Sequence, residues 1–412
     1  MNDKILWSIK MSTSPRGERL IIALLGRRNA GKSSLINALI GQEVAIVSQT
    51  PGTTTDPVAK HYELAPLGPV TFYDTAGVDD EGELGQKRVA SARKILYRAD
   101  LVIFINDGSG FDSHELDMLA QIREMKIPLL MVFNKADLAQ PVEANLIYCQ
   151  KLKIPHVSIS AKAKTGITEA RDALVKLAPK SGSEERVILS DMIKAKDRII
   201  LVCPIDSAAP KGRLILPQVQ TLREILDRDA IGIMVKDTEL KDALAMLEQP
   251  PDLVVTDSQV IEQVNRETPE PIELTTFSIL FARYKGELDV LLTGIDQIDR
   301  LKDGDKVMIA EACSHHAQED DIGRVKLPRW ISEYTGKKLS YEVYAGHDFP
   351  ENLEDFALCV HCGGCMINAA EMNRRILECY RRGVPITNYG LLICKVHGAF
   401  ERAIAPLMRV RQ

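Results

Sequence analysis

Residues 20–40 of the chain read LIIALLGRRNAGKSSLINALI. The apolar run Leu20–Leu25 predicts a buried strand, and the residues after the loop have the pattern of a helix. Between them, Gly26–Ser33 is a full match to the phosphate-binding loop, in the strand, loop and helix context that this motif requires. Its backbone amides can cradle phosphate groups, while Lys32 reaches the β and γ oxygens and the hydroxyl of Ser33 ligates magnesium. This part of the chain is therefore predicted to be an α/β domain that binds a nucleoside triphosphate.

Three further motifs follow at the ends of predicted strands: Asp74–Gly77 (DTAG) after Val70–Tyr73, Asn134–Asp137 (NKAD) after Pro128–Phe133, and Ser160–Lys162 (SAK) after Val157–Ile159. We expect Asp74 to hold magnesium through water and the amide of Gly77 to donate to the γ-phosphate. The carboxylate of Asp137 can accept hydrogen bonds from both N1 and the exocyclic amine of guanine, a pairing that adenine lacks. The motifs therefore predict that the nucleotide is GTP.

This motif set resembles that of the translation-factor-like GTPases of the Era, Der and MnmE kind, and the likeness extends through Ser48–Asp56 (SQTPGTTTD). The resemblance implies a Ras-like sheet and a switch threonine, Thr54, that completes the magnesium shell beside Ser33. Hydrolysis is then expected to depend on Lys32, Asp74, Gly77 and Asn29. The nucleotide-binding residues that follow are Gly26, Asn29, Ala30, Gly31, Lys32, Ser33, Ser34, Thr54, Asp74, Gly77, Asn134, Lys135, Asp137, Ser160, Ala161 and Lys162.

Two residues refine the expected chemistry of hydrolysis. Val78 follows the DTAG motif, and its side chain cannot orient an attacking water as the glutamine of Ras does. Asn29 matches the loop position whose side-chain oxygen binds potassium in the potassium-activated relatives, where the ion takes the place of an arginine finger. Oxygens around Ser48 and Thr50, with Thr53, would complete that potassium site. The alternative for Asn29 is an ordinary hydrogen bond within the loop.

Composition limits the kind of partner and the compartment. The 412 residues carry a formal net charge of −5, which favours neither nucleic acid nor an acidic membrane as a partner. The eight cysteines show no regular disulfide framework, which indicates a reducing compartment. No apolar run approaches the roughly 20 residues needed to span a bilayer. These features predict a cytoplasmic protein.

The chain is predicted to have three α/β domains. Residues 1–180 form the Ras-like GTP-binding domain, which ends at a polar linker around Pro179–Ser183. In residues 181–270, predicted strands and helices alternate without any catalytic motif, which predicts a small domain with a mainly parallel sheet. Its predicted role is contact, either in a homodimer or higher oligomer or with another protein. Residues 271–412 form a third domain, again with a mainly parallel sheet.

Cysteines and histidines follow two predicted strands of the third domain. Glu311–His315 (EACSH) comes after Lys306–Ala310, and Cys359–Cys365 (CVHCGGC) comes at the end of Phe356–Val360, before a helix predicted over Met366–Arg382. Ligands in open α/β sheets bind at this carboxyl edge, so the two motifs predict a metal site there. Cys359 lies within its strand and is expected in the core.

Three thiolates remain for this site: Cys313, Cys362 and Cys365. A fourth ligand could come from Glu311, His315 or His361. A closed structural zinc site fits the same spacing. A run with Cys359 would instead make a four-thiolate iron–sulfur site.

Over essentially its whole length, the chain resembles the FeFe-hydrogenase maturation GTPases of the HydF family, with the pattern Cys313-x-His315…His361-Cys362-x-x-Cys365 as the discriminating part. The resemblance implies a scaffold that binds a 4Fe-4S cluster in addition to GTP, Mg2+ and K+. Such a scaffold receives a transient two-iron precursor made with the radical maturases HydE and HydG, and transfers it to the apo-hydrogenase HydA. The alternative function is that of a GTPase of ribosome assembly or tRNA modification with a structural zinc site.

Overall fold

The structure is a computed structural model that describes residues 19–40, 48–50, 58–75, 94–179, 187–205, 214–312, 321–347, 349–350 and 352–410. The chain divides into two compact units, Met1–Ser181 and Gly182–Gln412. No helix within these ranges is both long and apolar enough to cross a membrane.

The first unit is built on a seven-stranded sheet with the order β2-β3-β4-β1-β5-β6-β7. Strand β3 pairs antiparallel with β2 and β4, and the other pairings are parallel. The strands are β1 (Leu20–Gly26), β2 (Ser48–Thr50), β3 (Val58–Leu64), β4 (Gly68–Asp74), β5 (Leu101–Asn106), β6 (Leu129–Phe133) and β7 (His156–Ser158). The described helices are α1 (Lys32–Ile40), α2 (Ser113–Glu124), α3 (Glu143–Lys151) and α4 (Ile167–Leu177). The predicted Ras-like fold is confirmed.

Both faces of this sheet are covered, which is why its central strands β1, β5 and β6 are apolar along almost their whole length. Successive residues of a strand point to opposite faces. Ile22 of β1 accordingly packs in one core with helices α1 and α4, whereas Ala23 packs in the other with α2 and α3. Parallel strands buried on both faces show this continuous apolar pattern.

The second unit contains two four-stranded sheets, both entirely parallel, around one continuous hydrophobic core. The first has the order β11-β10-β8-β9, from β8 (Arg198–Val202), β9 (Ile231–Val235), β10 (Leu253–Thr256) and β11 (Glu273–Thr276). The second has the order β13-β12-β14-β15, from β12 (Lys306–Glu311), β13 (Ser340–Ala345), β14 (Leu358–His361) and β15 (Ile386–Asn388). The helices are α5 (Leu216–Asp227), α6 (Leu240–Met246), α7 (Ile261–Glu267), α8 (Phe277–Lys285), α9 (Leu288–Ile295), α10 (Leu327–Thr335), α11 (Ala369–Arg381), α12 (Tyr389–Val396) and α13 (Phe400–Arg409).

Two elements of this unit were not predicted from the sequence. Strand β11 has only four residues and runs directly into α8, whose first turn is capped by the side chain of Thr276. It pairs with β10, so the first sheet continues past the expected boundary at residue 270. Helix α12 follows β15 without a loop, because the side chain of Asn388 accepts a hydrogen bond from the amide of Leu391.

The helix predicted over Met366–Arg382 begins later than expected, at Ala369. Its N-cap is Asn368, whose side chain accepts from the amide of Glu371. Residues 362–368, which connect β14 to this helix and carry Cys362 and Cys365, therefore form an irregular loop, here called the cysteine loop. At the other end the helix is followed by Gly383, whose φ of 69° lies in the left-handed region that favours glycine.

Candidate functional site

The phosphate-binding loop lies at the carboxyl edge of the first sheet, and its glycines are required by their surroundings. A Cβ on Gly26 would lie 2.1 Å from the carbonyl oxygen of Ile105, and one on Gly31 would lie 2.1 Å from Nδ2 of Asn134. Both residues also have positive φ. Side chains at these positions would displace the neighbouring strand or the NKAD motif, so the loop conformation depends on glycine.

The residues predicted to hold phosphate and magnesium lie together. The Nζ atom of Lys32 donates to the carbonyl oxygens of Gly26 and Arg27, both at 2.9 Å, within the loop itself. The hydroxyl of Ser33 donates to Oδ2 of Asp74 at 2.6 Å. Two hard oxygen ligands therefore converge beside the loop, which is the donor set that Mg2+ prefers.

The NKAD and SAK motifs meet the same loop through Asn134, which is buried. Its Nδ2 donates to the carbonyl oxygen of Ala30 at 2.9 Å, and its Oδ1 accepts from the amide of Ala161 at 3.0 Å. Asp137 is exposed, while Ser160 is buried and its hydroxyl accepts from the amide of Ala163. One side chain thus joins three of the four GTP motifs.

The candidate potassium residue Asn29 is exposed and has a φ of 59°, a left-handed conformation in the loop. Ser48 and Thr50 are the first and last residues of β2, of which the structure describes the backbone. Gly77, Thr54 and Thr53 lie outside the described residues.

Sequence reasoning missed the ion pairs that anchor the loop to helix α2. The guanidinium of Arg27 contacts Oε2 of Glu115 at 2.6 Å and Oδ2 of Asp112 at 3.0 Å. Burial raises the pKa of Glu115, while the hydrogen bond from the amide of Asp112 and the charge of Arg27 act to lower it. The signal available in the sequence was the spacing of Asp112 and Glu115, which form a capping box at the start of α2.

In the second unit, the parallel pairing of β12 with β14 brings the two cysteine motifs together. Ala310 lies opposite His361, and the amide of Cys362 donates to the carbonyl oxygen of Ala310 at 2.8 Å. The Sγ atom of Cys362 accepts from the amides of Ala312 at 3.0 Å and Gly364 at 3.4 Å. The sulfur of Cys362 is therefore hydrogen-bonded to the amide of Ala312, the residue that precedes Cys313.

Cys313 and His315 themselves lie outside the described residues. Within the described ranges, no three cysteine, histidine or carboxylate groups are close enough to hold a metal ion. Amide donors on a cysteine sulfur stabilise a thiolate, which is the form that iron or zinc requires. The part of the site that is described therefore fits a thiolate-bound metal centre.

Cys365 is partly buried in the loop between β14 and α11. Burial raises the pKa of its thiol, and the ammonium of Lys285 and the amides of Cys365 and Met366 act in the opposite direction. Lys285 is itself buried, and its Nζ donates to the carbonyl oxygens of Gly364 at 2.9 Å and Ile367 at 3.0 Å.

His361 is fully buried, and both of its ring nitrogens have protein partners. Nδ1 lies 2.7 Å from the carbonyl oxygen of Cys362, and Nη1 of Arg375 donates to Nε2 at 3.1 Å. Since a carbonyl accepts and a guanidinium donates, the proton is on Nδ1. Burial and then the charge of Arg375 lower the pKa of His361 to about 3, so the ring stays neutral.

Arg375 is held in turn by Glu371. Nη2 of Arg375 contacts Oε1 of Glu371 at 2.7 Å, and both side chains are almost completely buried. His347, which is partly exposed, contacts the same carboxylate at 3.0 Å. The guanidinium also lies over the ring of Phe349, 5.3 Å from its centroid. A buried polar network therefore fixes the ring of His361 behind the cysteine loop.

Glu311, the last residue of β12, is also buried and hydrogen-bonded. Its Oε2 accepts from Nη2 of Arg324 at 3.1 Å and from Nε at 3.3 Å. Its Oε1 faces Gly323, where a Cβ would lie only 2.5 Å away. The carboxylate is thus oriented by a π-helical turn, Ile322–Lys326, that follows the undescribed segment.

The remaining cysteines of this region belong to the core. Cys359 is fully buried on β14, hydrogen-bonded to Cys379 of α11, and burial raises its pKa well above the ordinary value. Cys394 is buried in α12, where burial raises the pKa of its thiol to about 12. The prediction that Cys359 is a core residue is confirmed.

The first unit thus has the fold and the motif geometry of a phosphate-loop GTPase, and the second carries cysteines at the carboxyl edge of a parallel sheet. Residues 21–135 match the model of the 50S ribosome-binding GTPase family, residues 188–286 that of the hydrogen maturase F dimerization domain, and residues 289–406 that of the hydrogen maturase F tetramerization domain. The chain belongs to the hydrogen maturase F (HydF) family of GTPases, whose domains associate with themselves.

Three similar proteins each match less than half of the chain. The tRNA modification GTPase MnmE of Endomicrobium trichonymphae is 34% identical over 195 residues, covering 45% of this chain and 41% of the relative. The GTPase Era of Heliobacterium modesticaldum is 31% identical, covering 42% of this chain and 64% of the relative. The G domain of the T. maritima FeoB iron transporter is 27% identical with a TM-score of 0.31, and the match covers 39% of this chain and 98% of that domain.

We predict that Arg375→Met destabilises the second unit, because it leaves the buried carboxylate of Glu371 without its cation. The expected loss is roughly 3–5 kcal/mol of unfolding free energy. Urea denaturation of the metal-free protein measures it. Arg382→Met is the matched control, since Arg382 makes partly exposed ion pairs at the end of the same helix and should cost under about 1 kcal/mol. Equal losses in the two variants would contradict the importance assigned to the buried network.

Proposed function

We propose that the protein is a GTP-hydrolysing scaffold and carrier that binds a 4Fe-4S cluster, receives a two-iron precursor and transfers it to apo FeFe-hydrogenase. The observation that carries the proposal is the hydrogen bond from the amide of Ala312 to Sγ of Cys362, because it joins the two cysteine motifs at one sheet edge. Membership of the HydF family supports it.

Cys313, Cys362 and Cys365 would hold the cluster, and the described donors fit thiolates in that role. Of the three candidates for a fourth ligand, Glu311 accepts a hydrogen bond from Arg324, and both ring nitrogens of His361 are in hydrogen bonds with protein groups. These contacts favour His315 or solvent at the fourth iron. When bound, such a cluster supplies an iron with a replaceable ligand, which a closed zinc site lacks.

The GTPase site would act as the switch of this scaffold. Ser33 and Asp74, with Thr54, would hold Mg2+, while Lys32 and the amide of Gly77 would bind the γ-phosphate. Asn29 would ligate K+ together with oxygens near Ser48, Thr50 and Thr53. The exposure of Asn29 supports this role, since its side chain is accessible to an ion from solvent.

The partners that follow from the proposal are the radical maturases HydE and HydG, as sources of the two-iron precursor, and the apo-hydrogenase HydA, as its acceptor. A cytoplasmic location fits an oxygen-sensitive cargo and thiolate ligands. No nucleic acid and no membrane are required for these steps.

Self-association would use the edge of the first sheet in the second unit. One edge strand, β11, is covered by α13, where Arg402 donates to the carbonyl oxygens of Pro269 and Ile272. At the opposite edge, β9 (IGIMV) carries no charge, Ile231 is half exposed, and Leu226 of the preceding helix α5 is exposed as well. An uncharged open edge pairs readily with another strand. We infer that a second copy of the chain covers it, as suits a segment matched by a dimerization domain.

The cluster proposal predicts that Cys313→Ser, Cys362→Ser and Cys365→Ser each lose the iron–sulfur cluster and the ability to activate apo-hydrogenase, whereas Cys359→Ala keeps both. Iron and sulfide analysis after anaerobic reconstitution, with electron paramagnetic resonance, measures cluster content. Zinc in place of iron in the protein as purified, with no activation of hydrogenase, would instead support a GTPase with a structural zinc site.

The GTPase proposal predicts that hydrolysis is about tenfold or more faster in potassium than in sodium, because Val78 cannot orient the attacking water and a potassium ion can neutralise the charge of the transition state. Asn29→Ala should remove the difference between the salts while GTP binding persists. Turnover measured in both salts tests this, and Arg28→Ala, at the exposed neighbouring position, is the control. Equal rates of the unmodified protein in the two salts would refute the potassium site.

The self-association proposal predicts that Ile231→Lys combined with Leu226→Lys weakens the dimer by roughly a hundredfold, since charges would have to be buried at the strand edge. Light scattering over a concentration series gives the dissociation constant. Met246→Lys is the control, because Met246 is still more exposed but belongs to α6 and not to the edge strand or to α5. An unchanged dissociation constant in the double variant would exclude β9.

A further inference from the structure

Lys285 is the last residue of α8 and is buried, although lysine is rarely found in a protein interior. It belongs to the segment matched by the dimerization domain, whereas the cysteine loop belongs to the segment matched by the tetramerization domain. Its side chain therefore extends from the segment matched by the dimerization domain to the cysteine loop, which lies in the segment matched by the tetramerization domain.

Lys285 makes two hydrogen bonds to the cysteine loop. Its Nζ donates to the carbonyl oxygens of Gly364 at 2.9 Å and Ile367 at 3.0 Å, residues that flank Cys365 on either side. The ammonium also lies 5.9 Å from the centroid of the Phe281 ring, one turn earlier in α8. These two carbonyls and the aromatic face offset part of the cost of burying the charge.

The shape of the loop depends on the same contact. Gly364 has a φ of 64°, and a Cβ there would lie 2.8 Å from Cε of Met372 in α11. The loop is not yet helical at this point, since α11 begins at Ala369. The carbonyl of Gly364 accepts from the amide of Ile367 at 3.3 Å, and Lys285 adds a hydrogen bond to it and another to the carbonyl of Ile367.

We propose that Lys285 is a positioning residue of the metal site, which anchors the loop around Cys365 and supplies a fixed positive charge that raises the reduction potential of the bound cluster. This inference rests on the proposed function, because it assigns an iron–sulfur cluster to the cysteines. A buried cation near a cluster stabilises the reduced form, which carries one more negative charge. Through Lys285, the segment matched by the dimerization domain would also influence the cluster directly.

Three substitutions separate the charge from the hydrogen bonds. Lys285→Met removes both, Lys285→Gln keeps an amide donor without the charge, and Lys285→Arg keeps the charge. Arg283→Met is the control, because Arg283 lies on the same helical turn but forms its ion pair with Asp191, away from the cysteine loop.

The first measurement is made on the metal-free full-length protein. Hydrogen exchange of the amides between Cys362 and Asn368 should be about tenfold faster in Lys285→Met than in the unmodified protein, because the loop loses its anchor. Lys285→Arg and Arg283→Met should leave it nearly unchanged. Equal exchange in all variants would overturn the anchoring role, whether or not the protein binds a cluster.

The second measurement is the midpoint potential of the reconstituted cluster, followed by electron paramagnetic resonance. Lys285→Gln and Lys285→Met should lower the ratio of reduced to oxidised cluster about tenfold at a fixed poise, which is 59 mV for a one-electron couple. Lys285→Arg should restore the potential. Unchanged midpoints in both neutral variants would overturn the electrostatic role.

The possible failures are distinguishable. If the unmodified protein binds no cluster, the proposed function fails, while the exchange experiment still decides the anchoring role. If Lys285→Met folds but takes up no cluster, Lys285→Arg must restore uptake, since failure to do so contradicts the proposal. If Lys285→Met does not fold, Lys285→Gln provides both measurements.

Discussion

The parallel pairing of β12 with β14 is the constraint on which the metal site depends. It brings together residues about fifty positions apart, so that the amide of Ala312 reaches the sulfur of Cys362. Parallel strands end at the same edge of a sheet, and a crossover element must separate them in sequence. The π-helical turn, helix α10 and strand β13 lie within that crossover, so the core of the second unit and the geometry of the site are specified by the same pairing.

The first unit uses the same physical arrangement for a different ligand. Its phosphate loop, DTAG motif and NKAD motif follow β1, β4 and β6, which are parallel members of one sheet. Asn134 then joins the loop to the SAK motif by two hydrogen bonds from one buried side chain. A shift of any of these strands would therefore change the phosphate site and the base site together.

Buried charge distinguishes the second unit from a simple packing domain. Arg375 and Glu371 lie behind His361, Lys285 lies beneath Cys365, and Arg324 holds Glu311. Each of these groups is neutralised or bonded by a partner from another element or turn, as burial requires. Lys285 and the network around His361 thus support the loop that carries Cys362 and Cys365, and Arg324 holds the carboxylate at the end of β12.

The sequence alone determined the GTP motifs, the two cysteine motifs, the core position of Cys359 and most strands and helices, because these follow from local spacing and from periodicity. It did not reveal β11, a four-residue strand with little periodicity of its own, or the start of α11 at Ala369, which Asn368 caps through a single hydrogen bond. It also left Glu311 and His361 as equal candidates for a fourth ligand. Only the tertiary structure showed that Arg324 donates hydrogen bonds to Glu311 and that Arg375 donates one to His361. It also showed that Lys285, 79 residues from Gly364, supports the cysteine loop. The partner of a buried charge depends on which elements pack together, and no local pattern in the sequence records that choice.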